Sequence, residues 1–233
     1  YWFREIDSKS NIFKIFGMHR LEDEKKSGGN REDKKLVISA VDCTGHGVPG
    51  AFMSMIGFNL LDEITSKGIT RPNLILEELH RGVRFTLKQK ETNNQDGMDL
   101  AMCVIDTKTK TLEFSGAKNP LIYIQDGEVK QIKGDTNGVG GKSDDHVFTL
   151  HTIDVNKPTY CYIFSDGFID QFGGDNGRKF MISNFRNLLT EIQLKHTIFS
   201  PFHTSAWSSF YACPSDSWAP VFSVHRLSIS RHT

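Results

Sequence analysis

Residues 41–51 read VDCTGHGVPGA and lie between an apolar run, LVISA at 36–40, and a helix-like run, FMSMIGFNLL at 52–61. A short apolar run that is rich in β-branched residues predicts a buried strand, so the turn follows the C-terminal end of a strand. From Pro49 onward the apolar residues recur at helical spacing, and Gly68 supplies a stop. A strand, a glycine-rich turn and an amphipathic helix therefore follow one another.

The sequence after this helix predicts a second helix and then a series of strands. The second helix runs from Pro72, a residue suited to a first helical turn, to Leu87. Turn signals such as Asp126-Gly127 separate the strands. The predicted strands are LAMCVID (100–106), TLEFSG (111–116), PLIYIQ (120–125), EVKQI (128–132), HVFTLHTI (146–153) and YCYIFSDG (160–167). This order predicts an α+β fold with antiparallel sheet packed under helices.

Composition narrows the class of protein. Lys and Arg together number 28, as do Asp and Glu, so no net field draws the chain to nucleic acid or to a membrane surface. We interpret the mixed-charge segment 19–35 as a solvated loop. The four cysteines form no C-x-x-C pair, which argues against a zinc knuckle and favours a reduced, cytoplasmic setting. No apolar run approaches the roughly 20 residues that span a bilayer.

The two ends of the chain differ from its middle. The chain opens on YWFREID without Met, and we expect it to begin inside a strand of a longer parent protein, whose N-terminal part could carry a membrane anchor. Residues 194–233 hold two of the three Trp and four of the nine His, with few acids or bases. We therefore predict a domain at 1–193 and an atypical tail at 194–233 that is out of frame or disordered.

Two aspartates stand at predicted strand ends. Asp42 precedes the glycines of the opening turn, and Asp166 precedes Gly167 in IFSDGFID at 163–170. Carboxylate and carbonyl oxygens suit a hard divalent cation, and glycine allows close approach of the backbone. The simpler interpretation is that each aspartate caps a turn. Taken together, they are expected to face one another across a sandwich of two sheets.

Five motifs carry a family resemblance: VDCTGHGVPGAFMSMIG, DGMDLAMCVID, FSGAKNPLIYI, GVGG and YIFSDGFIDQFGG. In this order they resemble the metal-dependent phosphatases of the protein phosphatase 2C superfamily, in particular the bacterial SpoIIE/RsbU-type serine phosphatases. The resemblance implies a four-layer α-β-β-α sandwich of two antiparallel sheets flanked by helices, here with its C-terminal part incomplete. It also implies two Mn²⁺ or Mg²⁺ ions and a phosphoserine or phosphothreonine protein as substrate.

The resemblance also implies roles for individual residues. Asp42 would bridge the two metals, Cys43 would lend its backbone carbonyl, and Asp166 would bind the second metal. His46 either donates a proton to the leaving serine oxygen or organises the turn by hydrogen bonding, and we favour the second role. Residues expected to orient the ligands without binding metal are Asp99, Gly167 and Asp170.

Two other phosphate chemistries are disfavoured. The stretch GVGGKS at 138–143 resembles the end of a Walker A loop, but Thr136 stands where that loop requires glycine. A cysteine phosphatase would need an arginine shortly after its nucleophile, and none of the cysteines has Arg six residues on. Neither nucleotide hydrolysis nor thiol catalysis is expected.

The chain also departs from the family pattern. The first metal aspartate of the family normally lies just before YWF, and the last lies in a Q-x-D-D segment near the C-terminus. No such pair follows Asp144-Asp145, and Asp216 lacks this context. Fewer carboxylates hold the ions less tightly, so we expect weak or no activity from this chain. The alternative is a pseudophosphatase that binds a phosphoprotein.

The resemblance finally implies partners. Relatives of this type act on phosphorylated regulatory proteins that are antagonists of anti-sigma factors. They carry an N-terminal sensor domain in the parent protein and often form homodimers through the helices that follow the metal turn. No nucleic acid partner is expected.

Overall fold

The computed structural model describes residues 2–7, 14–15, 34–141, 146–173, 177–199, 208–210 and 224–229. The elements are, in chain order, β1 (Trp2–Asp7), β2 (Lys14–Ile15), β3 (Lys34–Cys43), α1 (Gly47–Ser66), α2 (Pro72–Thr86), β4 (Gly97–Asp106), β5 (Thr111–Ala117), β6 (Leu121–Gln125), β7 (Glu128–Ile132), β8 (Val139–Gly140), β9 (His151–Asp154), β10 (Thr159–Ile163), α3 (Asp166–Ile169), β11 (Phe172–Gly173), β12 (Arg178–Lys179), α4 (Met181–Phe199), β13 (Ser208–Phe210) and β14 (Val224–Ile229).

Two antiparallel sheets form the body of the domain. The first has the strand order β2-β1-β3-β4-β5-β9, with β8 paired to the start of β4. The second has the order β13-β14-β10-β6-β7. Strands β3 and β4 are long and run side by side from Lys35 opposite Asp106 to Cys43 opposite Met98. This pairing places the opening turn and the start of β4 at the same edge of the first sheet.

Three apolar clusters lie between the layers. Helices α1 and α2 bury Leu61 and Leu79 against the first sheet. Phe114 and Ile163 belong to the cluster between the two sheets. Phe185 of α4 packs against the outer face of the second sheet. The order of layers is therefore α-β-β-α, which confirms the predicted fold class.

The helices begin and end where local sequence allows. Helix α1 begins at Gly47, two residues before the Pro49 of the prediction, and Gly68 follows its end with a φ of +82° that favours glycine. Helix α2 begins with Pro72 at its first turn, as predicted. No helix in the described part of the chain is long and apolar enough to cross a bilayer.

One predicted strand is wrong over most of its length. The run 146–153 is short and rich in apolar and β-branched residues, but only His151–Asp154 pairs with β5. Thr149 instead donates from its backbone N–H and its hydroxyl to the Asp135 carboxylate, at 2.8 Å each. Phe148 is buried in the cluster under the helices. A loop with one buried ring therefore has the composition of a strand, and the local pattern misassigned it.

Part of the predicted tail joins the second sheet. Helix α4 extends to Phe199, and β14 pairs antiparallel with β10, with Ile229 opposite Thr159. The boundary at residue 193 and the frame slip stay predictions. The loop predicted at 19–35 lies outside the described residues except for Lys34 and Lys35, which begin β3. The Asp144-Asp145 pair and Asp216 also lie outside them.

Candidate metal centre

Asp42 is held near the end of a paired strand. It is the last but one residue of β3, and the register places it opposite Asp99 of β4. Its side chain is half-buried at the edge of the first sheet. The strand pairing on the β4 side fixes the backbone on which the carboxylate stands.

Asp166 reaches the same place from the second sheet. It is the first residue of the short helix α3, three residues after the end of β10, and it is exposed. Its carboxyl group lies close enough to that of Asp42 to raise the pKa of Asp42. The structure thus brings together the two strand-end aspartates, one from each sheet.

This contact changes the acidity of Asp42. Its pKa is raised to about 6, first by burial, then by the hydrogen bond and charge of Asp166, and then by the charge of Asp99. Burial disfavours the charged form of a carboxyl group, and neighbouring negative charge does so further. Asp42 therefore takes up its negative charge less readily than an isolated aspartate, and a bound cation would favour the charged form.

The residues expected to orient the ligands have partners of their own. Lys118 forms an ion pair with Asp99, with 3.0 Å between Nζ and Oδ1. Lys179 of β12 forms one with Asp170, with 2.6 Å between Nζ and Oδ2. The backbone N–H of Asp170 donates to the Asp166 carbonyl at 2.8 Å, and Gly167 lies between them in α3. Asp170 thus helps to close the turn on which Asp166 stands.

The opening turn is fixed to the start of β4 through Thr44. The backbone N–H of Thr44 donates to the Gly97 carbonyl at 2.9 Å, and the N–H of Gly97 donates to the Thr44 hydroxyl at 2.9 Å. A side chain at Gly50 would lie 2.8 Å from the Gly45 carbonyl oxygen, so the turn is too tight there for any other residue. The glycines let the chain reverse directly after Asp42 and Cys43.

His46 lies at the start of α1, and its role in organising the turn stays a prediction. It occupies the residue before α1, but its side chain makes no hydrogen bond that caps the helix, and it is exposed. The exposed ring leaves its other predicted role, proton donation to a leaving oxygen, as a proposal.

The cysteines in the described residues are not activated. Burial raises the pKa of the Cys43 thiol, and it raises that of Cys161 to about 12. The pKa of Cys103 is also raised well above its usual value by burial. A nucleophilic thiol needs a lowered pKa. These environments agree with the expectation that only the backbone carbonyl of Cys43 serves the site.

An open groove of about 230 Å³ lies beside Asp99, the residue that stands opposite Asp42 across β3 and β4. Its lining includes Thr44, Asp99, Lys118 and the glycines of the GVGG stretch. In that stretch Gly140 has a φ of +81°, and its N–H donates to Nδ1 of the buried His80 of α2 at 3.1 Å. The stretch is therefore a turn held against α2, and it pairs with β4 through β8.

Sequence reasoning missed Lys118 and the role of Thr44. Both depend on which residues stand opposite each other in β3, β4 and β5, and the sequence gives no direct sign of that register. A signal was nevertheless present for Lys118. It is a basic residue in a turn, FSGAKNPL, of the kind that joins two predicted strands.

The donor atoms at the centre fit part of a divalent metal site. Mn²⁺ and Mg²⁺ prefer oxygen ligands, and the strained Asp42–Asp166 pair is a set of such ligands whose repulsion a cation relieves. Within the described ranges no group of three or more His, Cys, Asp or Glu side chains converges on one point. The two aspartates and nearby carbonyls therefore supply some, but not all, of the ligands that a two-metal site uses.

The comparison with protein families identifies the domain. The family model for stage II sporulation protein E (SpoIIE) matches residues 32–198. The chain belongs to the SpoIIE family. Its likeness to a phosphatase domain, predicted from the motifs, is confirmed.

Solved structures share the fold of this SpoIIE-family chain. The SiaA-PP2C domain of Pseudomonas aeruginosa is 26% identical, with a TM-score of 0.60 over 88% of this chain and 78% of that one. The RsbU and RsbW domains of a Mycobacterium tuberculosis protein are 20% identical, with a TM-score of 0.54 over 70% and 44%. The PP2C phosphatase domain of SpoIIE from Bacillus subtilis, with a fragment of its regulatory domain, is 13% identical, with a TM-score of 0.53 over 70% and 49%. No curated protein matches the chain.

These findings place the chain in an enzyme class. It is a PP2C-type phosphatase domain of the SpoIIE/RsbU kind, which is a class of phosphoprotein hydrolases.

Proposed function

We propose that this domain is a metal-dependent protein phosphatase that removes phosphate from serine or threonine of a regulatory protein. The observation that carries the proposal is the contact between Asp42 and Asp166, which joins strand ends from two different sheets. Two neighbouring carboxylates, with the pKa of Asp42 raised, destabilise the fold unless another group compensates. A bound divalent cation offsets that cost.

The residues that would hold the ions are Asp42, Asp166 and the backbone carbonyl of Cys43. When bound, two divalent ions lower the pKa of water and neutralise the phosphoryl oxygens. The chain contributes by holding these ligand atoms in position. The pairing of β3 with β4 sets Asp42, the short helix α3 sets Asp166, and the glycine turn leaves room for the Cys43 carbonyl.

The leaving serine oxygen needs a proton when the phosphate ester breaks. His46 is the candidate donor, because it stands three residues after Cys43 at the exposed start of α1. The conservative substitution His46→Gln tests this role. If His46 is the proton donor, His46→Gln should lower kcat most for substrates whose leaving group is an alcohol of high pKa. The loss should be small when the leaving group is an activated phenol.

The proposed substrate is a phosphorylated regulatory protein of the class that antagonises anti-sigma factors. The family resemblance supports this class, and the similar Mycobacterium tuberculosis structure contains an RsbU and an RsbW domain. We further propose that the domain follows a sensor domain in a longer parent protein.

We also propose that the domain forms a homodimer, since α1 exposes an apolar stripe of Val48, Phe52 and Met55. Light scattering of the wild type and of Phe52→Asp tests the homodimer.

A metal titration joined to an activity assay tests the main proposal. We expect Mn²⁺ to bind with measurable heat and to activate hydrolysis of a phosphoserine protein, with both effects lost in the double substitution of Asp42 and Asp166 by Asn. Asp154→Asn serves as control, because its carboxylate only accepts bonds from Asn156 in a distant turn. Robust turnover in EDTA, or full activity of the double variant, would contradict the proposal.

A pseudophosphatase is the second candidate, and one observation favours it. Asp99 already has an ion-pair partner in Lys118, so it is less available to a metal ion than Asp42 or Asp166. Fewer available carboxylates mean weaker ion binding. The two candidates differ in one measurement: a phosphatase binds a pair of Mn²⁺ ions, whereas a binding module retains a phosphoprotein without them.

A further inference from the structure

Lys118 occupies a backbone position that is unusual for lysine. It directly follows β5 and has a φ of +61°, in the left-handed region that favours glycine or asparagine. Its N–H donates to the Asp135 carbonyl at 2.8 Å, and the N–H of Asp135 donates to the Gly116 carbonyl at 2.8 Å. These bonds hold the turn in its shape. Lys88 and Lys110 adopt similar conformations, so what distinguishes Lys118 is the place of its side chain.

The ammonium group of Lys118 lies beside the metal centre. It is 3.0 Å from Oδ1 and 3.1 Å from Oδ2 of Asp99. Asp99 stands directly opposite Asp42 across β3 and β4, and its charge contributes to the raised pKa of Asp42. Lys118 is therefore separated from the Asp42–Asp166 pair by a single carboxylate.

The ion pair leaves the ammonium group accessible. The Lys118 side chain is 52% exposed, and it lines the groove together with Thr44 and the glycines of the GVGG stretch. Among the described residues that line this groove it is the only basic one. An ion pair as exposed as this adds little to stability, so the pair with Asp99 leaves the ammonium group available for a second contact.

The negative charge of the aspartates at the centre repels a phosphorylated substrate. A phosphate monoester carries nearly two negative charges at neutral pH, and it approaches a site lined by Asp42, Asp99 and Asp166. A lysine at the mouth of the groove attracts that charge. Lysine binds phosphate as a compact point charge with three rotatable donors, so it can keep Asp99 as a neighbour while it contacts the phosphate.

We propose that Lys118 is a substrate-binding residue whose ammonium group, steered by Asp99, contacts the phosphate of the incoming phosphoserine. The proposal rests on the phosphatase function proposed above. It assigns Lys118 to binding of the phosphate group and leaves the chemical step to other residues. Lys118 should therefore affect KM and the affinity for phosphate far more than kcat.

Kinetics with p-nitrophenyl phosphate in Mn²⁺ test this assignment. We expect Lys118→Met to raise KM about tenfold, the effect of losing one charge-assisted contact, and to change kcat by less than about twofold. Lys118→Arg should retain most of the affinity. Lys157→Met is the control, because Lys157 forms an exposed ion pair with Asp126 at 2.7 Å and does not line the groove. An unchanged KM in Lys118→Met overturns the proposal.

A double substitution separates substrate binding from a purely structural role. If Lys118 only neutralises Asp99, then Lys118→Met combined with Asp99→Asn should restore the wild-type KM, and that result overturns the proposal. If Lys118 binds phosphate, KM stays raised in the double variant, since the cation is still missing. The comparison of the four proteins forms a double-mutant cycle.

A binding measurement keeps the test independent of turnover. Inorganic phosphate is titrated in Mg²⁺ buffer while NMR follows the backbone amides of Gly138, Gly140 and Gly141. Lys118→Met should weaken the apparent affinity about tenfold. If the wild type shows no turnover but binds phosphate through Lys118, the phosphatase proposal fails and this one stands. If Lys118→Met binds phosphate as tightly as the wild type, this one fails, whatever the activity.

Discussion

Asp42 and Asp166 meet at one point, but the chain supports them in very different ways. Asp42 stands near the end of the ten-residue strand β3 and is half-buried beside β4. Asp166 begins the four-residue helix α3 and is exposed. The first carboxylate has its position fixed by a long ladder of backbone hydrogen bonds. The second depends on a short turn whose closing bond runs from Asp170 N–H to the Asp166 carbonyl.

This difference suggests that Asp42 and Asp166 have different roles in the centre. A buried ladder holds a charged group in place against repulsion, because moving it would break many backbone bonds at once. An exposed turn can adjust, since solvent satisfies its polar groups as it moves. We infer that Asp42 sets the position of the centre and that Asp166 closes on it. Substitutions on the two sides should therefore have unequal effects.

The largest effect is expected from Asp42→Asn. Loss of the carboxylate that faces both Asp166 and Asp99 should lower kcat/KM in Mn²⁺ by at least about 10³-fold, because metal ions supply several kcal/mol of transition-state stabilisation. The amide is nearly isosteric, so the far-ultraviolet circular dichroism should not change. Hydrolysis of a phosphoserine protein is the measurement, with Asp154→Asn as control. A loss of less than tenfold would mean that Asp42 is not the central ligand.

A smaller loss of activity, about 10²-fold, is expected from Asp166→Asn. The same change should stabilise the metal-free protein, because Asp42 and Asp166 repel each other without a cation. Partial exposure limits the gain to less than about 1 kcal/mol. Urea denaturation in EDTA measures it, and Asp126→Asn, which removes an exposed carboxylate from an ion pair with Lys157, is the control. If Asp166→Asn lowers stability in EDTA, the repulsion is not the dominant interaction.

The next effect concerns the bonds that fix the opening turn to β4. Thr44→Val removes the hydroxyl that accepts from Gly97 N–H and should cost about 1–2 kcal/mol of unfolding free energy. Mn²⁺ affinity should fall at the same time, since the turn carries the Cys43 carbonyl. Thr190→Val removes a comparable hydroxyl bond, to the Arg186 carbonyl on the exposed side of α4. If both variants lose equal stability and neither loses metal affinity, the turn is not coupled to the centre.

The sequence predicted the parts of the fold that strong periodicity encodes. Helices α1 and α2 and the strand before Asp42 follow from runs of apolar residues whose spacing fits few other secondary structures. The strand predicted at 146–150 was wrong because this apolar run buries one ring, Phe148, in a loop while Thr149 bonds to Asp135 instead of to a neighbouring strand. Local pattern does not reveal whether a partner strand is present.

The residues of the candidate site were likewise predictable only where they carry a local sequence signal. Asp42 and Asp166 carry a local signal, because each follows an apolar strand and precedes glycine. Lys118 carries little, since its place beside Asp99 depends on the register of β4 with β5 and on a turn with a positive φ. Residues that act through long-range register become visible only when the sheet is assembled.

The smallest effect is expected from Cys43→Ser, one residue from the largest. The Cys43 thiol is half-buried, its pKa is raised by burial, and it contacts the Ser54 side chain. A hydroxyl is similar in size and keeps the backbone carbonyl in place. If only that carbonyl serves the centre, kcat/KM in Mn²⁺ should stay within about threefold of the wild type, well under 1 kcal/mol. Iodoacetamide should likewise inhibit the wild type no faster than Cys43→Ser. If iodoacetamide rapidly inactivates the wild type but not Cys43→Ser, the thiol itself takes part in the reaction. The turn after Asp42 would then contribute a side chain as well as a backbone carbonyl, unlike the turn that carries Asp166.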